Sequence, residues 1–315
     1  MRILAATDGS EPAAIGCELA RDLATVGSGE IRIVAVVPPP TEMLGGPWPA
    51  PAAIDPTFVD RAATDRLENR LEEELARTPP DLHPSADLLR GRPAVEIVAE
   101  AERWGADVIV VGARGHGVLS SILLGSVSEE VVDRSPIPVL VARHPRIRRC
   151  VVAVDGSATS LRAADLLGRE PAFGGEETWV VDVAPSDYAW WTGMATADAE
   201  SEQQIFDANA AVRRMEQNAA DDAAARLRDA GLAANSQHRI GDAADQLVRV
   251  AAEVQADTIV IGSRGQTGLR RLLLGSVARH VLRHAPSSVL VVHPAPATNE
   301  SDETSAATTP VGASR

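Results

Sequence analysis

Short apolar runs alternate along the chain with longer segments in which apolar residues recur every three or four positions. The short runs are typical of strands buried on both faces of a sheet. The predicted strands are Ile3–Ala6, Ile31–Val37, Ala86–Leu89, Val108–Val111, Ile137–Val141, Val151–Val154, Thr178–Val183, Ser236–Ile240, Thr258–Ile261 and Ser288–Val292. Strands that alternate with helices predict an α/β fold with parallel sheets and right-handed crossovers.

Helical patterns fill the intervals between these runs. The longer predicted helices are Pro12–Val26, Phe58–Arg77, Ala158–Arg169 and about Glu202–Asp229. After the third strand, Ala94, Ile97, Val98 and Ala101 form one apolar stripe, which Ala244, Leu247, Val248 and Ala251 repeat 150 residues later. Such a stripe predicts a helix that packs on a sheet face.

The second half of the chain repeats the first. RILAATDGS at 2–10 returns as CVVAVDGS at 150–157, and DVIVVGARG at 107–115 returns as DTIVIGSRG at 257–265. Matched blocks in the same order predict two copies of one domain. We expect a first domain over residues 1–144, a linker over 145–149 and a second domain over 150–293. The remainder, 294–315, is poor in large apolar residues, and we expect it to be disordered.

The charge balance restricts the possible partners. The net charge is −14 and the sequence contains no lysine. So acidic a chain lacks the basic footprint of a protein that binds nucleic acid or an anionic membrane. Without lysine, Schiff-base chemistry and a P-loop are excluded.

Cysteine content and hydropathy indicate the compartment. Two cysteines, Cys17 and Cys150, make no disulfide framework or zinc site. The first residues show no apolar signal core, and no apolar stretch reaches the ~20 residues that span a bilayer. We therefore expect a cytoplasmic protein that does not enter the membrane.

Glycines follow the fourth strand of each copy at the same spacing. The pattern is Gly112-x2-Gly115-x9-Gly125-Ser126, and it returns as Gly262-x2-Gly265-x9-Gly275-Ser276. Glycine lets the backbone turn and approach a ligand closely. The Gly-Ser pair comes where the next helix begins, and free N–H groups at a helix start favour phosphate. Backbone amides, helped by Arg114 and Arg264, would hold the phosphate.

An aspartate ends the first strand of each copy, within the Asp-Gly-Ser turns at Asp8 and Asp155. In a doubly wound sheet the ligand crevice lies at the carboxyl ends of strands where the chain order reverses. A carboxylate there can accept hydrogen bonds from ribose hydroxyls. Taken alone, Asp-Gly-Ser is also a common turn and helix cap.

Together these motifs resemble the nucleotide motif of the universal stress protein family, over residues 1–293. The resemblance implies a five-stranded parallel sheet of order 3-2-1-4-5 in each domain, with helices on both faces. It also implies binding of ATP, as in the subgroup of the family that keeps this motif, and we expect Mg²⁺ to accompany the nucleotide. The implied adenine contacts are Ala6, Val36, Ala153 and Val183, and the implied ribose contacts are Asp8 and Asp155. The implied phosphate and ribose contacts are Gly112, Gly115, Gly125, Ser126, Val127, Gly262, Gly265, Gly275, Ser276 and Val277. Ser128 matches the hydroxyl residue that the family has after the valine, whereas the second copy has Ala278.

No acid–base pair recurs beside both phosphate loops. His116 lies in the first loop, but its counterpart is Gln266. His280 and His284 have metal-binding spacing on a helix, but no matching carboxylate completes a site. We therefore expect no catalytic residue and no metal ligand, although slow ATP hydrolysis is compatible with such a site.

Three functions fit the sequence. The first is an ATP-binding stress protein that acts through conformation or partner contacts. The second is a scaffold with vestigial sites, or a binder of another adenine nucleotide such as cyclic AMP. The third, an adenylyl-transfer enzyme, lacks its His-x-Gly-His or Ser-Gly-Gly-x-Asp-Ser signature. We also expect the fifth strands to meet edge to edge as an intrachain pseudo-dimer, and whole chains to be able to form a homodimer.

Overall fold

The computed structural model describes residues 1–39, 55–113, 124–184, 214, 218–265 and 274–294. The first-half strands are β1 (Arg2–Ala6), β2 (Glu30–Val37), β3 (Ser85–Arg90), β4 (Val108–Gly112) and β5 (Val139–Ala142). The second-half strands are β6 (Arg149–Ala153), β7 (Glu177–Ala184), β8 (Ala234–Ile240), β9 (Thr258–Gly262) and β10 (Ser288–Val292).

Eight α-helices connect these strands within the described residues. In the first half they are α1 (Glu11–Gly27), α2 (Pro56–Ala76), α3 (Pro93–Trp104) and α4 (Ser126–Arg134). In the second half they are α5 (Ala158–Arg169), α6 (218–229), α7 (Ala243–Glu253) and α8 (Ser276–His284). The predicted start of α6 at Glu202 lies outside the described residues.

All ten strands form one sheet, in the order β3-β2-β1-β4-β5-β10-β9-β6-β7-β8. Neighbours within each half are parallel and follow the order 3-2-1-4-5, which confirms the predicted fold class. The halves join where β5 and β10 pair antiparallel, with Leu140 opposite Leu290. Pro138, which precedes β5, has no N–H to donate, and its carbonyl accepts the Ile109 N–H. Each fifth strand is thus the edge of its own half but interior in the whole sheet.

Helices cover both faces of this sheet. One face packs beneath α1, α2, α5 and α6, and the other beneath α3, α4, α7 and α8. Each buried cluster contains residues from both halves, so apolar packing runs on across the β5–β10 junction. The low aromatic content of 3% is consistent with cores built from Val, Ile, Leu and Ala.

Most predicted boundaries differ from the structure by one or two residues, and two of these differences have a visible cause. The fifth strand begins at Val139 rather than at Ile137, because Ser135 first turns the chain by bonding the Ile137 main chain. Strand β6 begins at Arg149, inside the predicted linker, because the N–H groups of Arg148 and Arg149 both donate to the Asp257 carboxylate. The side-chain acceptor extends the strand in a way that hydrophobic patterning does not show.

Candidate functional site

The Asp-Gly-Ser turns begin the first helix of each half. Ser10 caps α1 by accepting from Ala13 N, and Ser157 caps α5 by accepting from Ser160 N. In the second half Asp155 Oδ1 accepts from Ser157 N at 3.0 Å. Gly156 has a φ of 77°, in the left-handed region that glycine tolerates. The turn is therefore a helix cap, and it also holds the aspartate at the carboxyl end of the first strand.

The first glycine of each phosphate motif allows a close backbone approach. A Cβ on Gly112 would lie 2.6 Å from the Pro12 carbonyl oxygen, and one on Gly262 would lie 3.1 Å from Ser160 N. These glycines end β4 and β9, where the first helix of the same half begins. A side chain at Gly112 would push strand and helix apart, and one at Gly262 would require its neighbours to move by a few tenths of an ångström.

The last Gly-Ser pair of each motif begins a helix. Gly125 and Gly275 are the N-cap residues of α4 and α8, and no side chain caps either helix. Each glycine N–H donates at 2.8 Å to the carbonyl of the residue after the fourth strand of its half, Ala113 or Ser263. Ser126 and Ser276 are therefore first-turn residues rather than caps. The first-turn N–H groups of the two helices therefore donate no hydrogen bond to a capping side chain of the described residues.

In the second half, all nine predicted site residues line one cavity of about 350 Å³. They are Ala153, Asp155, Val183, Gly262, Arg264, Gly265, Gly275, Ser276 and Val277. The cavity lies at the carboxyl ends of β6 and β9, where the strand order reverses. A Cβ on Gly265 would lie 2.7 Å from Asp155 Oδ2, so Gly265 lies directly against the carboxylate.

Sequence reasoning missed part of the apolar wall of this cavity. Val181 of β7, Ile261 of β9 and Ala243 and Leu247 of α7 also line it. The apolar stripe of α7 was a usable signal, since Leu247 belongs to it, but the pattern alone assigned that stripe only to the sheet face. Val181 and Leu247 are also part of the buried core, so the wall is continuous with it.

In the first half, the described site residues occupy the equivalent positions. Ala6 ends β1, Asp8 follows in the turn, Val36 lies in β2 and Gly112 ends β4. Gly125, Ser126, Val127 and Ser128 form the start of α4. Arg114, Gly115 and His116 lie outside the described residues, as does the aromatic segment with Tyr188, Trp190 and Trp191.

The two halves differ in where their hydroxyl groups lie. Ser128 is buried, and its Oγ donates to the Gly112 carbonyl at 2.7 Å, so it fastens α4 to the end of β4. Its second-half counterpart is Ala278. Conversely, Ser160 lines the second cavity and accepts from Asp155 N at 3.2 Å, whereas the first half has Ala13 in its place.

The remaining sequence candidates have structural surroundings. Burial, followed by the Glu74 charge, raises the pKa of Cys17 to about 12, and burial raises that of Cys150 as well. The rings of His280 and His284 stack with centroids 4.1 Å apart. The described residues contain no group of three His, Cys, Asp or Glu side chains arranged to hold a metal ion. Among their helices, none is both long and apolar enough to cross a membrane.

The fold and the glycine-lined cavity define a tandem, doubly wound α/β protein with a pocket at the strand switch point. The sequence profile described as the universal stress protein family matches residues 1–143 and again residues 146–293. The chain belongs to the universal stress protein family and contains two of its domains.

Individual relatives agree with this assignment. A universal stress protein of Thermus aquaticus is 34% identical over 143 residues, which cover 45% of this chain and 97% of that protein. A universal stress protein of Mycobacterium tuberculosis is 29% identical over 224 residues, covering 66% of this chain and 64% of its own length. The structure of a universal stress protein from Archaeoglobus fulgidus superposes with a TM-score of 0.60 and 24% identity, covering 92% of this chain and 97% of that one. That likeness concerns the fold.

Proposed function

We propose that this universal stress protein binds ATP, accompanied by Mg²⁺, at one site in each half and acts as a regulatory protein of the stress response. The observation that carries the proposal is the second-half cavity, in which nine residues chosen for adenine, ribose and phosphate contacts line one space of about 350 Å³. That volume is within the usual range of small-ligand pockets, ~300–1,000 Å³.

The walls of the cavity suit the three parts of a nucleotide. Val181, Val183 and Leu247 offer an apolar surface to a flat base. The Asp155 carboxylate offers acceptors to ribose hydroxyls. The N–H groups at the start of α8, together with Arg264, offer donors and positive charge to phosphates. Mg²⁺ bound to the phosphates would reduce the repulsion between their charges.

The side chains that line the second-half cavity, within the described residues, favour a regulatory role over catalysis. Among the described residues that line the cavity, Asp155 is the only carboxylate, and none is a histidine, cysteine or lysine. Rapid hydrolysis needs a group that orients the attacking water, and the proposed binding mode gives the Asp155 carboxylate to the ribose instead. Nucleotide occupancy would then act by changing the surface that partners meet. We place this activity in the cytoplasm.

Calorimetric titration of the purified full chain with Mg²⁺-ATP, ADP and cyclic AMP tests the proposal. We expect two ATP sites in the wild type, one each in Asp8→Ala and Asp155→Ala, and none in the double variant. Unchanged ATP affinity in the double variant, with a native circular dichroism spectrum, would refute the proposal. Tighter binding of cyclic AMP than of ATP would assign the cavity to the other nucleotide.

A single methyl group gives a finer test of the second site. Gly265→Ala should weaken nucleotide binding there by tenfold or more, about 1.4 kcal/mol, because its Cβ would displace the Asp155 carboxylate at 2.7 Å. The matched control is Gly168→Ala in α5, where the new methyl would meet nothing closer than 3.8 Å. The control should bind as the wild type does. Equal affinity in the two variants would show that the Gly265–Asp155 approach is not part of the binding site.

A further inference from the structure

The helices that follow the two phosphate loops, α4 and α8, carry opposite charges at equivalent positions. Their sequences are SVSEEVVDR and SVARHVLRH, and both are nine residues long. The buried positions stay apolar, with Val131 matching Val281 and Val132 matching Leu282. In contrast, Glu129 is matched by Arg279 and Asp133 by Arg283.

These four side chains meet across the junction between the halves. Arg283 Nη2 lies 2.6 Å from Glu129 Oε1, and Arg279 Nη1 lies 3.7 Å from the same oxygen. Arg279 Nη2 lies 3.8 Å from Asp133 Oδ1. The four side chains are 27–44% exposed, so their charges are only partly screened by solvent.

The pseudo-two-fold axis between the halves brings the same two helix positions of each half into contact with each other. Residue 279 is the counterpart of 129, and residue 283 is the counterpart of 133. Every contact therefore joins one of these two positions in the first half to one of the same two positions in the second half. Two first halves meeting in the same way would therefore place Glu129 against Glu129 and Asp133. Two second halves would place Arg279 against Arg279 and Arg283. Both arrangements bring like charges to within about 4 Å, which is repulsive at a partly buried site.

We propose that Glu129, Asp133, Arg279 and Arg283 form a pairing code that makes each half select the other half and reject a copy of itself. The partner that fits the acidic face of α4 is a universal stress domain with arginines at the two equivalent helix positions. The second half of the same chain is that partner. Backbone pairing of β5 with β10 is available to any two halves, so the charges supply the discrimination. The inference is independent of nucleotide binding.

Charge exchange in the full chain tests the code. Glu129→Arg/Asp133→Arg makes both helices basic, and Arg279→Glu/Arg283→Asp makes both acidic. The quadruple variant exchanges the charges and restores complementarity with the native composition. We expect each double variant to lower Tm by roughly 3–6 °C and the quadruple variant to recover most of that loss. Helix-dipole effects have opposite signs in the two double variants, so they cannot lower the Tm of both.

A matched control removes the general effect of net charge. Glu68→Arg/Glu72→Arg makes the same two acid-to-arginine changes at the same spacing on α2, at exposed positions on a helix that packs on β2 and β3. It should leave Tm near that of the wild type. The losses in the double variants should also shrink at 1 M salt, where the screening length is about 3 Å. A quadruple variant as unstable as the doubles would overturn the proposal.

Selectivity needs its own measurement. The Glu129→Arg/Asp133→Arg variant carries the donor dye and the Arg279→Glu/Arg283→Asp variant carries the acceptor dye. The two variants are unfolded together and refolded as a mixture. Because neither chain can satisfy its own helices, halves should pair between chains, and energy transfer should exceed that of a wild-type mixture treated identically. Energy transfer no higher than in the wild-type mixture would mean that the charges add stability without choosing the partner, which also overturns the code.

Discussion

His293 follows β10 and reaches across the junction to the first half. Its Nε2 lies 2.9 Å from the Val132 carbonyl at the end of α4. The equivalent first-half residue, Arg143, donates to the Leu282 carbonyl near the end of α8 and to the Ser287 carbonyl just before β10. Each half thus hydrogen-bonds to the last helix of the other half through the residue that follows its own fifth strand. In the first half this residue is Arg143, a permanent cation, and in the second half it is His293, a titratable ring.

Protonation of His293 should weaken the protein in mild acid. Burial lowers its pKa, and Arg264 and Arg162 lower it further, against the raising effect of the Val132 and Ile137 carbonyls. The unfolded chain then binds a proton that the folded chain resists. Stability should therefore fall as the pH drops below about 6.5. Urea unfolding between pH 5 and 7.5 measures the slope.

His293→Gln isolates this contribution, because the amide keeps a donor for the Val132 carbonyl but does not titrate. The free energy of unfolding of this variant should fall less with acid than that of the wild type. Above neutral pH the two proteins should show the same dependence of stability on pH. Parallel curves for the two proteins over the whole range would exclude His293 as the source.

At the scale of elements, β7 and β8 carry a polar pair where the first half has an apolar one. Asp182 and His238 are register partners, and the His238 Nδ1 contacts the Asp182 carboxylate. The equivalent partners on β2 and β3 are Ala35 and Leu88. Asp182 is only 2% exposed. Burial raises its pKa, while the bond and charge of His238 lower it.

Replacing the pair should cost less than breaking it. His238→Leu leaves Asp182 buried beside a hydrocarbon and should destabilise the protein by about 2–3 kcal/mol. Asp182→Ala/His238→Leu reproduces the first-half pair and should recover most of that loss. A raised aspartate pKa means that stability is lost as the pH rises through it, so the single variant should suffer more at pH 7 than at pH 4–5. Chemical denaturation at both pH values tests this. A double variant less stable than the single one would contradict it.

At the scale of the molecule, one buried serine of β10 links the two halves at the β5–β10 junction, in the middle of the shared sheet. Ser288 Oγ accepts from Arg143 N at 3.0 Å and from His144 N at 3.1 Å. The position equivalent to Ser288 in the first half is Pro138, so this tie occurs on one side of the junction. With both buried clusters crossing the same junction, we expect the two halves to unfold together.

Ser288→Ala should lower the free energy of unfolding by about 1–3 kcal/mol, because two N–H groups lose their acceptor. It should also separate the unfolding of the halves, seen by calorimetry as a broadened or double transition. The control is Ser287→Ala, whose hydroxyl donates to the Ala256 carbonyl within the second half. It should lower stability without broadening. Equal transition widths in the two variants would count against the tie.

Much of the fold and of the candidate site was predictable from local pattern. Most strands are short apolar runs in a protein with few aromatics, and the second copy of the repeat supports each assignment; β8, with the sequence ANSQHRI, is the most polar exception. The nine second-half site residues were predictable because strand ends, glycines and Asp-Gly-Ser turns are local signals. Leu247 and Val181 were not assigned to the cavity, since an apolar side chain in a stripe looks the same whether it faces core or ligand.

The sequence by itself determined the two domains, their strand–helix order and the residues at the carboxyl ends of the first and fourth strands, because these follow from periodicity and from glycine and cap chemistry over a few residues. Only the tertiary structure decided how the halves join and which side chains meet there. Glu129 contacts Arg283, and Arg143 contacts Leu282, across more than 130 positions of chain. Such pairs depend on the antiparallel register of β5 with β10, which no local pattern encodes.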